Sequence, residues 1–159
     1  MPALGSIMLI NAPLEAVFDL AQDYNLRLKW DPALKEAQFL DGATEVALGA
    51  RVRLRARAGI TMTVEYFGVR RPFVVAAKMV RGPRVFRQFV SNWHFRSVDA
   101  ETTEVTFKCV FETRWLWMSK RIDPLLFSMI SRDNRKRLAG LKRGVEELGL
   151  IDRPGGRPS

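Results

Sequence analysis

Residues 89–113 read FVSNWHFRSVDAETTEVTFKCVFET and carry the clearest strand pattern in the sequence. Apolar and polar residues alternate along both halves of this stretch, and the polar run Asp99–Thr103 lies between them. Because the side chains of a β-strand point alternately to two faces, the pattern predicts an antiparallel hairpin with one covered and one wet face. Phe107, Cys109 and Phe111 fall on the covered face of the second strand.

The same period of two extends over the middle of the chain, from Ala37 to Glu112. Turn signals such as Asp41-Gly42 and Gly82-Pro83 separate the runs, and the gaps are short enough for hairpins. Strands joined in this way form an antiparallel meander. Six strands are predicted, over Ala37–Leu40, Ala50–Arg57, Thr61–Phe67, Phe73–Val80, Val85–Arg96 and Glu104–Thr113.

One short strand and two short helices are predicted before the meander. The apolar run Ser6–Ile10 is a strand candidate, and a helix is predicted over Pro13–Ala21 because proline suits the first helical position. A second helical segment is predicted over Asn25–Trp30. Asp31 precedes a proline and therefore avoids helical angles, so we interpret it as a turn residue, with a place at the mouth of a cavity as the alternative.

A long helix is predicted at the end of the chain. Asp123-Pro124 suits a helix start, with aspartate as the cap and proline at the first position, and Gly149 suits the C-terminal cap. At 1.5 Å per residue, about 25 residues span about 38 Å, which is enough to cover the apolar face of the sheet. One stripe at helical spacing contains Leu126, Ile130, Asn134, Leu138, Leu141, Val145 and Leu148.

The composition is typical of a globular protein. The chain has 159 residues, of which 47% are hydrophobic and 27% charged, and this favours one domain over residues 1–151 followed by a disordered tail over 152–159. The sequence shows neither an uncharged apolar run of about 18 residues nor a signal peptide. Since Cys109 is the single cysteine, an internal disulfide framework is excluded, and we expect a cytoplasmic setting.

Most catalytic signatures are missing from the sequence. It contains no G-x-G-x-x-G, Walker A or G-x-S-x-G motif, and its single histidine, His94, falls on the wet face of a predicted strand. One histidine and one cysteine are too few for an ordinary zinc site. We therefore expect no metal and no cofactor. No aromatic RNA-binding signature occurs either, and we expect no nucleic-acid partner.

The charge is strongly basic, with 26 Lys and Arg against 17 Asp and Glu, a net charge of +9. Four arginines alternate in one predicted strand and so leave the same face of the sheet: Arg51, Arg53, Arg55 and Arg57. The simpler interpretation is a solvated outer face whose arginine stems cover the strand. The alternative is a weak contact with an anionic membrane surface, which would make the chain a surface-binding module.

Three segments, followed by a long terminal helix, resemble a known superfamily. They are INAPLEAVFDLAQDYNLRLKWDP at 10–32, FLDG at 39–42 and FVSNWHFRSVDAETTEVTF at 89–107. Their order is similar to that of the START-like superfamily, also called SRPBCC or Bet v 1-like, and within it to the polyketide cyclase/dehydrase and lipid-transport group. The resemblance covers about residues 5–148.

The resemblance implies an α+β helix-grip fold, in which a seven-stranded antiparallel sheet wraps around the C-terminal helix, two short helices follow strand 1, and an apolar cavity lies between sheet and helix. It also implies binding of a hydrophobic small molecule such as a lipid, a polyketide or a quinone-like compound. The alternative is a polyketide cyclase, aromatase or dehydratase acting in the same cavity, and whether the chain is an enzyme stays open. Aromatic cyclases of the group place arginine, tryptophan and tyrosine in the cavity. Tyr66 and Trp93 match the last two, whereas the strand arginines alternate outward.

The shared strand phase and the resemblance together predict a cavity of roughly 300 Å³ or more, the size of an ordinary ligand pocket. Asn134 interrupts an apolar stripe, and because an unpaired buried amide costs about 1–3 kcal/mol, it should bond to backbone, water or ligand. The predicted ligand-binding residues are Trp30, Phe39, Leu54, Met62, Val64, Tyr66, Val75, Met79, Phe89, Trp93, Phe107, Phe127, Ile130 and Asn134.

Overall fold

Seven antiparallel strands form one sheet in the order β1-β7-β6-β5-β4-β3-β2. The computed structural model describes residues 3–114 and 116–151, with the side chains of the last helix described from Pro124 onward. The elements are β1 (Ala3–Ile10), α1 (Leu14–Gln22), α2 (Tyr24–Trp30), β2 (Leu34–Phe39), β3 (Arg51–Ala56), β4 (Thr61–Arg70), β5 (Val74–Arg81), β6 (Phe86–Asp99), β7 (Thr102–Thr113) and α3 (Leu116–Glu146). This arrangement confirms the predicted helix-grip fold.

The hairpin β6–β7 sets the inner face of the sheet. Its register pairs Trp93 with Phe107 and Phe95 with Val105, and all four side chains are buried. The helix α3 packs against β1 and β7 and buries Leu138 completely, together with other residues of its apolar stripe. The covered face is therefore the one that the alternation predicts, and α3 covers it.

The two short helices close one end of the sheet. In α1, Phe18 meets the ring of Phe95 edge to face, with their centroids 5.0 Å apart. Asp23 lies between the helices in an extended conformation, and its carboxylate accepts a hydrogen bond from Asn25 N and so caps α2. Because α2 contacts both β2 and α3, side chains on its inner face reach the space under the last helix.

The predicted start of the last helix is wrong. The helix α3 begins at Leu116 and continues through Pro124, although Asp123-Pro124 has the composition of a helix start. A proline inside a helix removes one backbone donor and crowds the preceding turn, and a helix of 31 residues retains most of its other backbone hydrogen bonds. The tail predicted to be disordered, 152–159, lies outside the described residues.

The arginines of β3 point outward, as their alternation predicts. Arg51 Nε lies 3.6 Å from a carboxylate oxygen of Glu65, and Arg55 Nη1 lies 3.7 Å from one of Glu36. Arg53 Nη2 donates to Gln38 Oε1 at 2.5 Å. Side chains of the neighbouring strands are thus partners of these three arginines. A contact of the arginine face with an anionic membrane stays a prediction. No helix in the described part of the chain is both long and apolar enough to cross a membrane.

Candidate functional site

An internal cavity lies between the inner face of the sheet and α3, with a volume of about 150 Å³. The expected volume of roughly 300 Å³ is wrong by a factor of about two. Aromatic side chains in the cavity wall pack on one another and occupy part of the space between the sheet and α3. The ring centroids of Trp93 and Phe107 are 4.6 Å apart, and those of Phe86 and Phe89 are 5.2 Å apart.

Most of the predicted ligand-binding residues line this cavity, while their contact with a ligand stays a prediction. They come from β3 to β7 and from α3, so the strand phase and the helical stripe meet at one place, as expected. The predicted residues in the cavity wall are Leu54, Met62, Val64, Tyr66, Val75, Phe89, Trp93, Phe107, Ile130 and Asn134.

Four predicted residues are not in the cavity wall. Trp30 packs edge-on against Trp93 with centroids 6.4 Å apart, and Phe127 packs against Phe111 at 5.7 Å. Phe39 contacts the ring of Tyr24 at 5.2 Å. Met79 is partly buried against the core, and its sulfur lies beside Gly82. Periodicity fixes which face a side chain occupies but not its depth, and these four support the wall instead of forming it.

A buried ion cluster borders the cavity. Arg27 Nε and Arg137 Nε donate to the same oxygen of Asp31, Oδ2, at 2.8 and 2.9 Å, and Asp31 Oδ1 accepts from Ala33 N at 3.0 Å. Burial would raise the pKa of Asp31, but the charges of Arg137 and Arg27 outweigh it and lower the pKa to about 2. Asp31 follows α2 directly, as a turn residue does, yet it is also a buried anion that joins α2 to α3.

Both arginines line the cavity, and sequence reasoning missed them. Arg27 lies over the rings of Trp30 and Trp93, at 4.9 and 5.6 Å from their centroids, and Arg137 lies 5.0 Å from the centroid of Phe107. Two signals were present: Arg27 precedes Asp31 by one helical turn, and Arg137 follows Asn134 by three residues on the flank of the apolar stripe.

Arg137 reaches Asp31 through Nε, so its two terminal nitrogens are not used in that contact. Within the described residues, Arg137 bonds through Nε alone, whereas Arg27 also donates from Nη1 to Ala21 O at 3.3 Å. Asn134 is 1% exposed, its Oδ1 accepts from Cys109 Sγ at 3.7 Å, and its Nδ2 has no partner in the described part of the chain. The amide is thus half satisfied, and Nδ2 is a buried donor without a partner among the described residues of the cavity wall.

Two further polar groups in the wall are held in protonated form. The hydroxyl of Tyr66 shares a hydrogen bond of 2.5 Å with that of Tyr24, and burial raises the pKa of Tyr66 well above its ordinary value of 10.0. Burial also raises the pKa of the Cys109 thiol, to about 11. Near neutral pH both groups are hydrogen-bond donors and neither is a base.

The remaining polar residues in the wall are Ser91 and Asp133, both half-buried. Across the residues that the structure describes, Asp133 forms no ion pair, and no cluster of three or more His, Cys, Asp or Glu residues could hold a metal ion. His94 is exposed and pairs with Thr106 across the β6–β7 hairpin, on the wet face. The cavity is thus an aromatic space with several donors and one unpaired carboxylate.

The fold has close structural counterparts. The TTHA0849 protein of Thermus thermophilus is 20% identical, with a TM-score of 0.77 over 91% of this chain and 97% of that one. The Zhui aromatase/cyclase of a Streptomyces species is 18% identical, with a TM-score of 0.77 over 93% and 98%. A START superfamily protein of Mycobacterium smegmatis is 12% identical, with a TM-score of 0.75 over 92% and 98%. At these identities the likeness establishes the fold alone.

The sequence itself carries a family match. No curated protein matches the chain. The family model described as polyketide cyclase / dehydrase and lipid transport matches residues 7–146, from β1 to the last residue of α3. Since this match covers most of the sequence, the chain belongs to the polyketide cyclase/dehydrase and lipid transport family.

Proposed function

We propose that the chain binds a hydrophobic small molecule in the internal cavity, with a carbonyl or carboxylate oxygen of the ligand at Arg137 and Asn134. The observation that carries the proposal is the buried donor Asn134 Nδ2, which has no partner in the described part of the chain and lies with the guanidinium of Arg137 in a wall that is otherwise mostly apolar. A buried donor without a partner costs about 1–3 kcal/mol, which an acceptor on a ligand would recover. Apolar walls with a few placed polar groups are typical of small-molecule sites.

Benzoate is a suitable probe because it combines one aromatic ring with a carboxylate. We expect Asn134→Leu to stabilise the protein by removing an unsatisfied buried donor, and to weaken benzoate binding about tenfold, measured by calorimetry. Arg137→Gln should weaken binding as well. Arg135→Gln is the matched control, since Arg135 is exposed on the same helix, donates to Ser131 Oγ and does not line the cavity. Equal affinity in all three variants would contradict the proposal.

The natural ligand can be sought directly. Native mass spectrometry of the protein purified from its own host should show an added mass, and chromatography after denaturation should release an apolar compound with an oxygen acceptor. Release of only polar metabolites would contradict the proposal.

A second candidate function is a polyketide cyclase or aromatase. It is favoured by polar groups that lie within hydrogen-bond reach of each other in the cavity, above all Tyr24 and Tyr66. Asp133 would take a proton from the carbon between two ketones, and the carbanion would attack a second carbonyl carbon to form a C–C bond. Tyr66 or Arg137 would donate to the oxygen that becomes negative, and water would leave afterwards.

Mass spectrometry separates the two candidates. A cyclase converts a poly-β-ketone into a product that has lost water, and Asp133→Asn abolishes this conversion while leaving benzoate binding intact. If the chain only binds the poly-β-ketone, the products in its presence are the same as those that form in its absence.

A further inference from the structure

We propose that the ligand site has two compartments, the internal cavity and an outer cleft, and that the side chain of Tyr24 divides them. This inference rests on the proposed function and names the class of ligand: a molecule larger than one ring, with an oxygen acceptor at its inner end and a hydroxyl or amine at its outer end.

The outer cleft lies between α1, the start of α2 and the loop that joins β2 to β3. Its volume is about 430 Å³, within the range of ligand pockets. Phe18, Phe39, Val46 and Val69 supply its apolar surface. Tyr24 borders both this cleft and the internal cavity, so its side chain is shared by the two spaces.

The size of the inner compartment limits which part of a ligand it can hold. A cavity of about 150 Å³ holds a single benzene ring. Any ligand with two or more fused or linked rings has to extend beyond the cavity. On the side of α2 the way out leads past Tyr24 into the outer cleft.

Tyr24 is placed to move without disturbing the sheet. It is the first residue of α2, next to the extended residue Asp23, and it is half-buried. One hydrogen bond, to Tyr66, and an edge-to-face contact with Phe39 hold its ring, together with the guanidinium of Arg27 at 5.4 Å. A change of side-chain rotamer breaks that one hydrogen bond and joins the two spaces.

The outer cleft has polar groups of the opposite kind to those of the cavity. Asp23 and Glu45 line it and form no ion pair within the described residues, whereas Asp19 is bonded by Arg71 through both oxygens at 2.8 and 2.7 Å. Carboxylate oxygens accept hydrogen bonds, so they suit a hydroxyl or an amine.

Gln22 supplies a second, independent indication of a ligand. It lines the cleft, is 9% exposed, and neither atom of its side-chain amide has a partner in the described part of the chain. An amide left with both a free donor and a free acceptor is rare in a folded protein, and a polar group of a ligand in the cleft would satisfy it.

The test compares two probes of different size. Benzoate fits the inner compartment, whereas 4′-hydroxybiphenyl-4-carboxylate, with a carboxylate on one ring and a hydroxyl on the other, requires both. Val46→Trp fills the outer cleft, and we expect it to weaken binding of the larger probe about tenfold or more while benzoate affinity changes less than about twofold. Leu48→Trp is the matched control, because Leu48 belongs to the same loop, is 68% exposed and does not line the cleft.

A second pair of variants tests the division. Tyr24→Phe removes the hydrogen bond to Tyr66 and should speed association of the larger probe, and an unchanged association rate would contradict a division at Tyr24. Asn134→Leu should weaken both probes, because both place their acceptor in the inner compartment. If the larger probe binds Val46→Trp normally, or binds Asn134→Leu normally, the two-compartment site is wrong. If wild-type protein fails to bind benzoate at all, the proposed function itself is wrong.

Discussion

Gly140 of α3 lies directly against the backbone carbonyl of Trp30, at the end of α2. A Cβ atom on Gly140 would collide with that oxygen and would also lie 2.8 Å from a ring carbon of Pro32. Only glycine lets the two helices approach so closely. This approach places Arg137, one turn earlier on α3, within hydrogen-bond distance of Asp31.

Gly140→Ala should destabilise the protein, by about 1–3 kcal/mol or more, because the backbone of Trp30 cannot move aside as a side chain can. Gly144→Ala is the control on the same helix. A Cβ atom on residue 144 would lie 3.0 Å from the Cβ of Trp30 and 3.3 Å from a methyl group of Leu150, so a small adjustment accommodates it. Urea unfolding of both variants should show the larger loss at Gly140, and equal losses would contradict the close approach.

Asp31→Asn should cost about 3–5 kcal/mol of unfolding free energy, because it leaves two buried guanidinium groups without their carboxylate. Asp19→Asn removes a carboxylate that binds Arg71 at short distance, but both partners of that pair are about half exposed. An exposed pair contributes about 0.2–1 kcal/mol. Chemical denaturation should therefore separate the two variants clearly, and similar losses would show that the cluster is not a buried structural unit.

Acid should weaken the fold through the same carboxylate. Asp31 has a pKa of about 2 in the folded protein against an ordinary value of 3.8, so its stabilisation is complete above about pH 4 and is lost as the pH falls towards 2. A shift of nearly two pKa units corresponds to roughly 2–3 kcal/mol. The difference in stability between wild type and Asp31→Asn should therefore shrink over this interval and stay constant from pH 5 to 7. A difference that changes near neutral pH would assign the effect to another group.

The thiol of Cys109 should react slowly in the folded protein. It is 2% exposed and its pKa is raised to about 11, so little thiolate forms at pH 8. Because it is the single cysteine, an aromatic disulfide reagent reports on this one site. The reaction should be fast in urea and slower still in native protein saturated with benzoate, since Cys109 lines the cavity. Benzoate that leaves the native rate unchanged would indicate binding elsewhere.

The sequence predicts the sheet well because the rule for strands is local. Alternation in 89–113 identifies both β6 and β7, and its two-residue period assigns each side chain to the covered or the wet face. The last helix shows the limit of local rules. Asp123-Pro124 has the composition of a helix start, and no property of those two residues reveals that the helix begins at Leu116.

The polar part of the site is harder to predict because it joins residues far apart in the chain. Arg27 and Arg137 are ordinary charged residues at helix positions, and their burial depends on Asp31 lying between them in three dimensions. Likewise, the ring of Trp30 packs behind Trp93 and supports the cavity wall. The apolar character of Trp30 does not reveal whether its side chain lines the cavity or lies behind the residues that do.

The ion cluster also determines at which stage of translation the ligand site can form. Arg27 and Asp31 are translated early, but Arg137 follows Asp31 by 106 positions and lies near the end of the last helix. Until that helix has left the ribosome, the two early residues have one another but no third partner, and the cavity has no lid. A nascent chain therefore cannot form the complete ligand site before α3 has emerged, and the ligand can stabilise only a chain that already contains this helix.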